Sequence, residues 1–256
     1  GTNYFWVACD IETNSTLTNV VDAECTGLVV EGNTETPLIT APAGNLVINN
    51  TGVFEVTNLN DTGSGSLREA IVGAAGYTCG DAYVDATAIA GTINWSSNVN
   101  VNASHNVRIM GAGPDLFIIN SGGSGYFIQN QGDGLISVEG LKIEQCAGQA
   151  ALYGANGKRF NVENCWFDSN TSRAIYLPND GQITARNTTF SNNSHGSSGG
   201  AIYIVNDYVG KFYNCTFYGN NSGDQGGAMQ AINGSNSEIS LIIQNCTFSL
   251  NNHQIF

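Results

Sequence analysis

The chain has 256 residues, of which 41% are hydrophobic and 11% charged, with 32 glycines and a formal net charge of −13 at pH 7. With only 8 Lys and Arg residues it offers no basic surface for phosphates, so nucleic acid is excluded as an expected partner. No uninterrupted apolar segment reaches the roughly 18 to 20 residues that cross a bilayer, so no insertion into a membrane is expected.

Residues 1–50 form an N-terminal segment that lacks the repeat found further along the chain. It contains four short apolar segments, separated by polar turns, at 4–8, 27–30, 37–39 and 46–48. Such segments are typical of short strands. We therefore expect a small β-rich appendage or, alternatively, a set of irregular first coils of the structure that follows.

Cysteines and sequons favour an oxidising, secretory compartment. The chain has seven cysteines, so at least one is unpaired or bonds to another chain. Cys9 with Cys25 is the candidate disulfide, although spacing alone does not fix the connectivity. Asn14 and Asn102 are candidate glycosylation sites, while an Asn- and Thr-rich repeat also produces such triplets by chance.

A short capping helix is predicted near residues 66–74, early in the region 51–256. Ser66 can cap its first turn, and Glu69 follows three residues later, as in a capping box. One apolar face of this helix consists of Leu67, Ala70 and Ile71. We expect the helix to lie across the N-terminal end of the repeats.

The second half of the chain repeats a segment of the form Phe-x-x-Asn. Its four phenylalanines are separated by 23, 27 and 31 residues: Phe167, Phe190, Phe217 and Phe248. A period of this size indicates stacked structural units. Each unit contains three short strand patterns, which describe one coil of a parallel β-helix. The sequence therefore predicts an all-β fold, a right-handed parallel β-helix of about seven coils over residues 51–256.

Stacked coils predict ladders of like side chains along the axis. Equivalent residues of neighbouring coils lie about 4.8 Å apart, so the phenylalanines are expected to form an inward aromatic stack. The asparagines three residues later are expected to form a ladder of amides at a turn, where Asn can adopt a left-handed backbone conformation. These asparagines are Asn170, Asn193, Asn220 and Asn251.

Two motifs resemble a known group of surface proteins. F-x-x-N together with Gly-Gly-Ala-Ile at 199–202 resembles the repeat of the polymorphic outer membrane proteins of chlamydiae and of related bacterial and archaeal surface β-helices. The segment 66–71 reads S-L-R-E-A-I, which resembles the signature at the start of many such proteins, with Gly65 in place of their usual cysteine. The resemblance implies a location outside the cell or on its surface and a structural or adhesive role.

The candidate metal site is Asp180 with Asp207. The two residues occupy matching turns 27 residues apart, so they would be neighbours on adjacent coils and could bind Ca²⁺ or act as paired catalytic carboxylates. Asn-Asp is also a common turn sequence, which explains both residues without a ligand. Arg173 and Arg186 could supply a base or bind a uronate, but they have no matching cluster of calcium ligands and occupy ordinary repeat positions. His195 is assigned to a loop between coils. No cofactor other than calcium is expected.

Two classes of function fit this sequence. We expect an extracellular structural or adhesive module that is not an enzyme. Its residues 248–256 are expected to dock head-to-tail on residues 1–50 of another copy and so build filaments; the alternative is that the native protein continues past Phe256 and covers this coil. Outward aromatic residues could bind glycans or a host surface; they include Trp166, Tyr203 and Tyr218. The alternative is a carbohydrate-active enzyme, a polysaccharide lyase or hydrolase, on the same scaffold.

Overall fold

The computed structural model divides the chain into two units, Gly1–Thr51 and Gly52–Phe256. The structure describes residues 52–206, 208–233 and 240–252, together with four short strands in the first unit. Those strands form two antiparallel pairs, Val20–Val21 with Leu46–Val47 and Leu28–Val30 with Asn33–Glu35.

The second unit is a right-handed parallel β-solenoid of about seven turns, as the repeat predicts. Each complete coil contributes one strand to each of three parallel sheets. The first sheet has eight strands: Gly52–Glu55, Ala82–Ala86, Val107–Gly111, Leu135–Glu139, Arg159–Glu163, Gln182–Arg186, Val209–Tyr213 and Ser240–Gln244.

The second sheet follows the first in each coil and carries the phenylalanines. Its seven strands are Gly91–Asn94, Phe117–Asn120, Lys142–Glu144, Trp166–Asp168, Thr189–Ser191, Thr216–Tyr218 and Thr247–Ser249. The third sheet closes the coil. Its six strands are Val99–Val101, Ile128–Asn130, Ala150–Gly154, Arg173–Leu177, Ile202–Val205 and Met229–Ile232. The later coils are longer, and part of their additional chain forms a short parallel pair of strands, Ser194–His195 with Asn221–Ser222.

The capping helix predicted near 66–74 spans Leu67–Ala75. The Ser66 side chain accepts a hydrogen bond from the Glu69 N–H at 3.2 Å, while Glu69 Oε2 accepts from the Gly65 N–H at 2.7 Å. The apolar face of the helix is buried, because Leu67 and Ile71 have no exposed surface. In the part of the chain that the structure describes, no helix is long and apolar enough to cross a membrane.

Glycine is required at position 65, where the resembled signature has a cysteine. Gly65 has φ +75°, a conformation that side chains other than glycine rarely adopt. A Cβ atom built there would collide with Thr57 Oγ1. A side chain at position 65 would therefore be sterically strained.

The phenylalanines form a continuous stack inside the solenoid. Phe167 and Phe190 have ring centroids 5.3 Å apart, and Phe190 and Phe217 are 4.9 Å apart. These three side chains are fully buried, and Phe248 completes the stack 4.6 Å from Phe217. Stacked aromatic pairs contribute about 0.5–1.5 kcal/mol beyond the burial of their area. The stack therefore stabilises the register of the four coils.

The asparagine ladder runs beside this stack. Asn170 donates to Asn193 Oδ1 at 2.7 Å, Asn193 to Asn220 at 2.9 Å and Asn220 to Asn251 at 2.9 Å. Each amide also donates to a backbone carbonyl of the preceding coil, as Asn193 does to Phe167 O at 3.1 Å. Asn170, Asn193 and Asn220 are buried and Asn251 is partly buried, so the ladder satisfies backbone groups within the core.

The left-handed conformation expected for these asparagines occurs elsewhere. The residue just before each of them has positive φ: Ser169, Asn192, Gly219 and Leu250. The left-handed residue turns the chain, so that the following asparagine points inward. A second set of asparagines adopts positive φ before the last four strands of the second sheet: Asn164, Asn187, Asn214 and Asn245.

Candidate functional site

Of the two predicted calcium residues, the structure describes only Asp180, which lies in a turn after a strand of the third sheet. Asp180 is exposed and has φ +49°, and its N–H donates to Asn206 O at 3.1 Å. Asp207 lies outside the described residues. Asn206 donates to Asn179 Oδ1 at 2.8 Å, so this turn carries its own amide ladder. The described residues contain no group of three His, Cys, Asp or Glu side chains that could hold a metal ion, and the calcium site stays a prediction.

The candidate disulfide and glycosylation residues of the N-terminal segment also lie outside the described residues. Cys9, Cys25 and Asn14 are not among the described residues, whereas Asn102 is exposed. The cysteines that the structure does describe are free: Cys79, Cys146, Cys165, Cys215 and Cys246.

Cysteines within the coils are core side chains. Burial raises the pKa of Cys165 to about 12 and that of Cys215 to about 11. A thiol acts as a nucleophile only when ionised. These two residues therefore fill the core and have no features of a catalytic cysteine.

A polar network that sequence inspection missed lies on the outer face of the second sheet. Glu144 and Asp168 are directly paired on neighbouring strands. Both carboxylates bind Lys142 Nζ, at 2.8 Å and 3.1 Å. The Lys142 ammonium also lies 4.2 Å from the centre of the Trp166 ring, and Trp166 Nε1 donates to Ser191 Oγ at 2.7 Å.

The charge state of this carboxylate pair decides what it can do. Burial raises the pKa of Asp168, but hydrogen bonds from Ser191, Lys142 and Asn192 outweigh it and leave the pKa below its usual value. A catalytic pair of carboxyl groups needs one member that is protonated near neutral pH. Asp168 is held ionised, so the network has the chemistry of an ion-pair cluster.

The register of the repeat contains the signal for this pair. Glu144 directly follows Ile143, and Asp168 directly follows Phe167, which pairs with Ile143. The residue that follows each stacked position points outward, so the acidic residues at two equivalent outward positions are the signal for this pair.

A column of tyrosines runs along the outer face of the third sheet. Tyr153, Tyr176 and Tyr203 occupy equivalent positions, with ring centroids 5.4 Å and 5.3 Å apart. Tyr126 extends the series, 5.5 Å from Tyr153. We call these four residues the tyrosine column. Each ring is half-buried.

The hydroxyl groups of the column are available to a ligand. Among the described residues, no hydrogen-bond partner contacts the hydroxyl groups of Tyr153, Tyr176 or Tyr203. The spacing of the rings follows the rise of the coils, because equivalent strands are hydrogen-bonded neighbours. The column therefore presents ring edges and polar groups at a regular interval along the axis.

Arg173 lies against this column and is almost entirely buried, with 3% of its surface exposed. Its guanidinium carbon is 4.9 Å from the Tyr176 ring centre and 4.7 Å from that of Tyr203. It donates to Ser198 O at 2.8 Å, and burial lowers its pKa to about 10. Arg173 therefore remains charged at neutral pH.

His195 and Ser197 complete this group, which we call the arginine site. Arg173 NH1 lies 3.1 Å from His195 Nε2, and Arg173 NH2 donates to Ser197 Oγ at 3.1 Å. Burial and the neighbouring Arg173 lower the pKa of His195, so its ring is neutral at pH 7. The pairing of Ser194–His195 with the next coil brings the imidazole onto the guanidinium, a contact that the repeat position of Arg173 and the loop position of His195 do not predict.

Two N–H donors face the His195 ring. The Arg173 guanidinium can only donate and lies 3.1 Å from Nε2, while the Ser197 N–H donates to Nδ1 at 3.1 Å. Ser197 Oγ also lies 3.1 Å from Nδ1. Because a neutral imidazole accepts at only one ring nitrogen, one tautomer satisfies the contact with Arg173 and the other satisfies the contact with the Ser197 N–H.

Comparison with known proteins identifies one family. Residues 78–256 match the family model described as right handed beta helix region, which covers more than half of the chain. Searches of curated proteins and of solved structures found no significant match.

Proposed function

Because the chain belongs to the right-handed beta helix region family, we propose that it is an extracellular structural and adhesive module that binds glycans along the tyrosine column. The fold occurs in both enzymes and binding proteins, so the proposal rests on the side chains that the fold displays. Tyrosine supplies large contact area and a polar group at low cost in conformational entropy.

One observation carries the proposal: four half-buried tyrosines follow one another along the solenoid axis, and three have hydroxyl groups without partners among the described residues. An extended saccharide also repeats at a regular interval, and its C–H and hydroxyl groups can contact the ring edges and the hydroxyl groups of the tyrosines. A column that follows the axis can contact several sugar units of one polysaccharide, so that the weak affinities of the individual contacts combine.

The test is a glycan array probed with the intact chain, with Tyr176→Ala and with Tyr213→Ala. Tyr213 is the matched control, because it is also a half-buried tyrosine on a strand, but in the first sheet. Binding that is lost in Tyr176→Ala and kept in Tyr213→Ala supports the proposal. Binding that is unaffected by Tyr176→Ala contradicts it.

Head-to-tail assembly is the second element of the proposed role. The last described coil exposes the inward-facing Leu241 and Ile243 to 39% each, whereas Phe212, which pairs with Ile243, is fully buried. Exposed apolar strands are templates for further pairing. Light scattering over a range of concentrations tests assembly: mass should rise with concentration, and less so in Leu241→Asp. A mass that stays monomeric at high concentration contradicts filament formation.

A carbohydrate-active enzyme is the second candidate function, and its candidate residues are the neighbouring carboxylates of Glu144 and Asp168, of which Asp168 is held ionised. The two carboxylates are neighbours on one outer face and share Lys142. A depolymerisation screen of acidic and neutral polysaccharides tests this role, with Asp168→Asn as the inactive control. If the intact chain cleaves a polysaccharide and Asp168→Asn does not, the enzymatic role replaces the adhesive proposal. If the intact chain cleaves none, the adhesive proposal stands.

A further inference from the structure

Two free thiols occupy equivalent positions on the last two described coils. The residue just before each of the last four strands of the second sheet packs in the core: Cys165, Thr188, Cys215 and Cys246. Because Thr216 pairs with Thr247, the preceding residues Cys215 and Cys246 are in register as well. Equivalent residues of neighbouring coils lie about 4.8 Å apart, which falls within the Cα–Cα range of about 4.4–6.8 Å that a disulfide requires.

The sulfur of Cys246 contacts the backbone of Cys215. The Cys215 N–H donates to Cys246 Sγ at 3.4 Å. The same contact occurs two coils earlier, where the Cys165 N–H donates to Thr188 Oγ1 at 3.4 Å, so this side-chain orientation belongs to the ladder. A disulfide also requires Cβ atoms about 3.5–4.5 Å apart, so the two coils must approach each other slightly. The last coil is free to do so, since Cys246 and Phe248 are only partly buried.

We propose that Cys215 and Cys246 form a disulfide that links the last two described coils. The location proposed above, outside the cell, is oxidising, and disulfides form and persist there. The bond does not depend on glycan binding, because both cysteines pack in the core beside the second sheet, whereas the tyrosine column lies on the outer face of the third.

The bond forms by exchange with an external disulfide, either a small one such as oxidised glutathione or that of a thiol oxidoreductase. Cys246 is the more accessible thiol. Its thiolate attacks one sulfur of the external disulfide, breaks that S–S bond and releases one external thiolate. The Cys215 thiolate then attacks Cys246 Sγ and releases the second. The two external thiolates take up the two protons that the cysteines lose, so one external disulfide becomes one protein disulfide and two external thiols.

The second step is slow at neutral pH. Burial raises the pKa of Cys215 to about 11, so little of this thiol is ionised at pH 7, and only the thiolate attacks. The rate of closure should therefore rise by up to about tenfold for each pH unit between pH 7 and pH 9.

The bond would strengthen a weakly covered part of the solenoid. Cys215 and Cys246 are 31 residues apart, and the strand between them, Ser240–Gln244, exposes Leu241 and Ile243 to 39% each. A disulfide that closes a long loop restricts the unfolded chain. We therefore expect the bond to lower the unfolding equilibrium constant by at least about 30-fold.

Peptide mapping of the folded chain tests the bond directly. The intact chain is equilibrated with excess oxidised glutathione, denatured, capped with N-ethylmaleimide and digested with trypsin. Because Lys211 is the last basic residue of the sequence, peptide 212–256 contains Cys215 and Cys246 and no other cysteine. We expect this peptide to carry no cap and to be lighter by two hydrogen atoms than its reduced form.

The same digest contains a matched control. Peptide 160–173 has Cys165 as its single cysteine. Cys165 is also buried, but its neighbour on the next coil is Thr188, so its peptide should carry one cap. Two caps on peptide 212–256, or a glutathione that remains attached to Cys246, would overturn the inference, because either result shows that the two sulfurs do not join.

Urea denaturation with and without a phosphine reductant measures what the bond contributes to stability. The difference between the oxidised and the reduced chain should become much smaller in Cys246→Ser. It should remain in Cys165→Ser, which alters a buried thiol without a thiol neighbour. The peptide map of the intact chain still decides whether the bond forms if a variant fails to fold. A difference that Cys246→Ser leaves unchanged would overturn the stabilising role of the bond.

Discussion

Phe217 and Phe248 lie on consecutive coils with their ring centroids 4.6 Å apart and their planes only 1° from parallel. This is the tightest stacking in the phenylalanine series, whose other two pairs are 5.3 Å and 4.9 Å apart. The repeated Phe positions therefore act as one stack, and a gap in it affects both neighbouring coils.

Phe217→Ala should lower the free energy of unfolding by about 3–5 kcal/mol, because it leaves a void between two rings in the core. Chemical denaturation of the purified chain measures the change. Tyr218→Ala is the control: Tyr218 is the next residue and is 45% exposed, so its loss should stay within about 0.5 kcal/mol. A loss below about 1 kcal/mol in Phe217→Ala would show that the stack does not stabilise the coils.

Asn193→Ala should also destabilise the solenoid. The change removes the acceptor of the Asn170 amide and leaves the Phe167 carbonyl without this donor. Each buried polar group left without a partner costs about 1–3 kcal/mol, so we expect a loss of at least about 2 kcal/mol in denaturation experiments. Asn179→Ala removes a surface amide ladder instead and should cost less than about 1 kcal/mol. Equal losses in the two variants would mean that burial of the ladder is unimportant.

Stability should depend on the protonation of His195. The pKa of His195 in the folded chain lies below its unfolded value of about 6.5. Its contribution is therefore fully present above pH 6.5 or so and is lost as the pH falls through the folded pKa. Denaturation from pH 8 to pH 5 should show this loss, and His195→Gln should reduce it, because an amide oxygen can accept from Arg173 at every pH. Identical pH profiles would contradict the assigned contact between His195 and Arg173.

Lys142→Met should destabilise the chain at pH 7, since it leaves Glu144 and Asp168 side by side without their shared cation. The two negative charges then repel each other, and the penalty decreases at low pH as a carboxylate becomes protonated. Thermal unfolding at pH 7 and pH 4 measures this. Combining Lys142→Met with Asp168→Asn should restore much of the stability at pH 7. A loss that is the same at both pH values would show that packing on Trp166 is the main role of Lys142.

Most of the fold could be predicted from the sequence because the solenoid stacks like residues on like residues. The positions of Phe167 and Phe190 fix the register of two coils, and the remaining strands follow from it. The arginine site could not be predicted in the same way. His195 lies in an insertion that makes its coil longer, and only the pairing of that insertion with the next coil brings it onto Arg173.

The carboxylate pair was missed for a different reason. Glu144 and Asp168 are adjacent to residues of the stack, but the acidic pair singled out from turn sequences was Asp180 with Asp207. The backbone conformation of a turn is enough to explain an acidic residue there, and Asp180 has positive φ. Two acids at the same outward strand position are a stronger indication of a shared partner, because the pleat places them on one face.

The central claim, that the tyrosine column binds a glycan, is tested most directly by intermolecular NMR contacts between a bound oligosaccharide and tyrosine ring protons. The account predicts contacts to Tyr153, Tyr176 and Tyr203 and none to Tyr213. Contacts confined to Trp166, beside the carboxylate pair, would contradict it and would favour the enzyme instead.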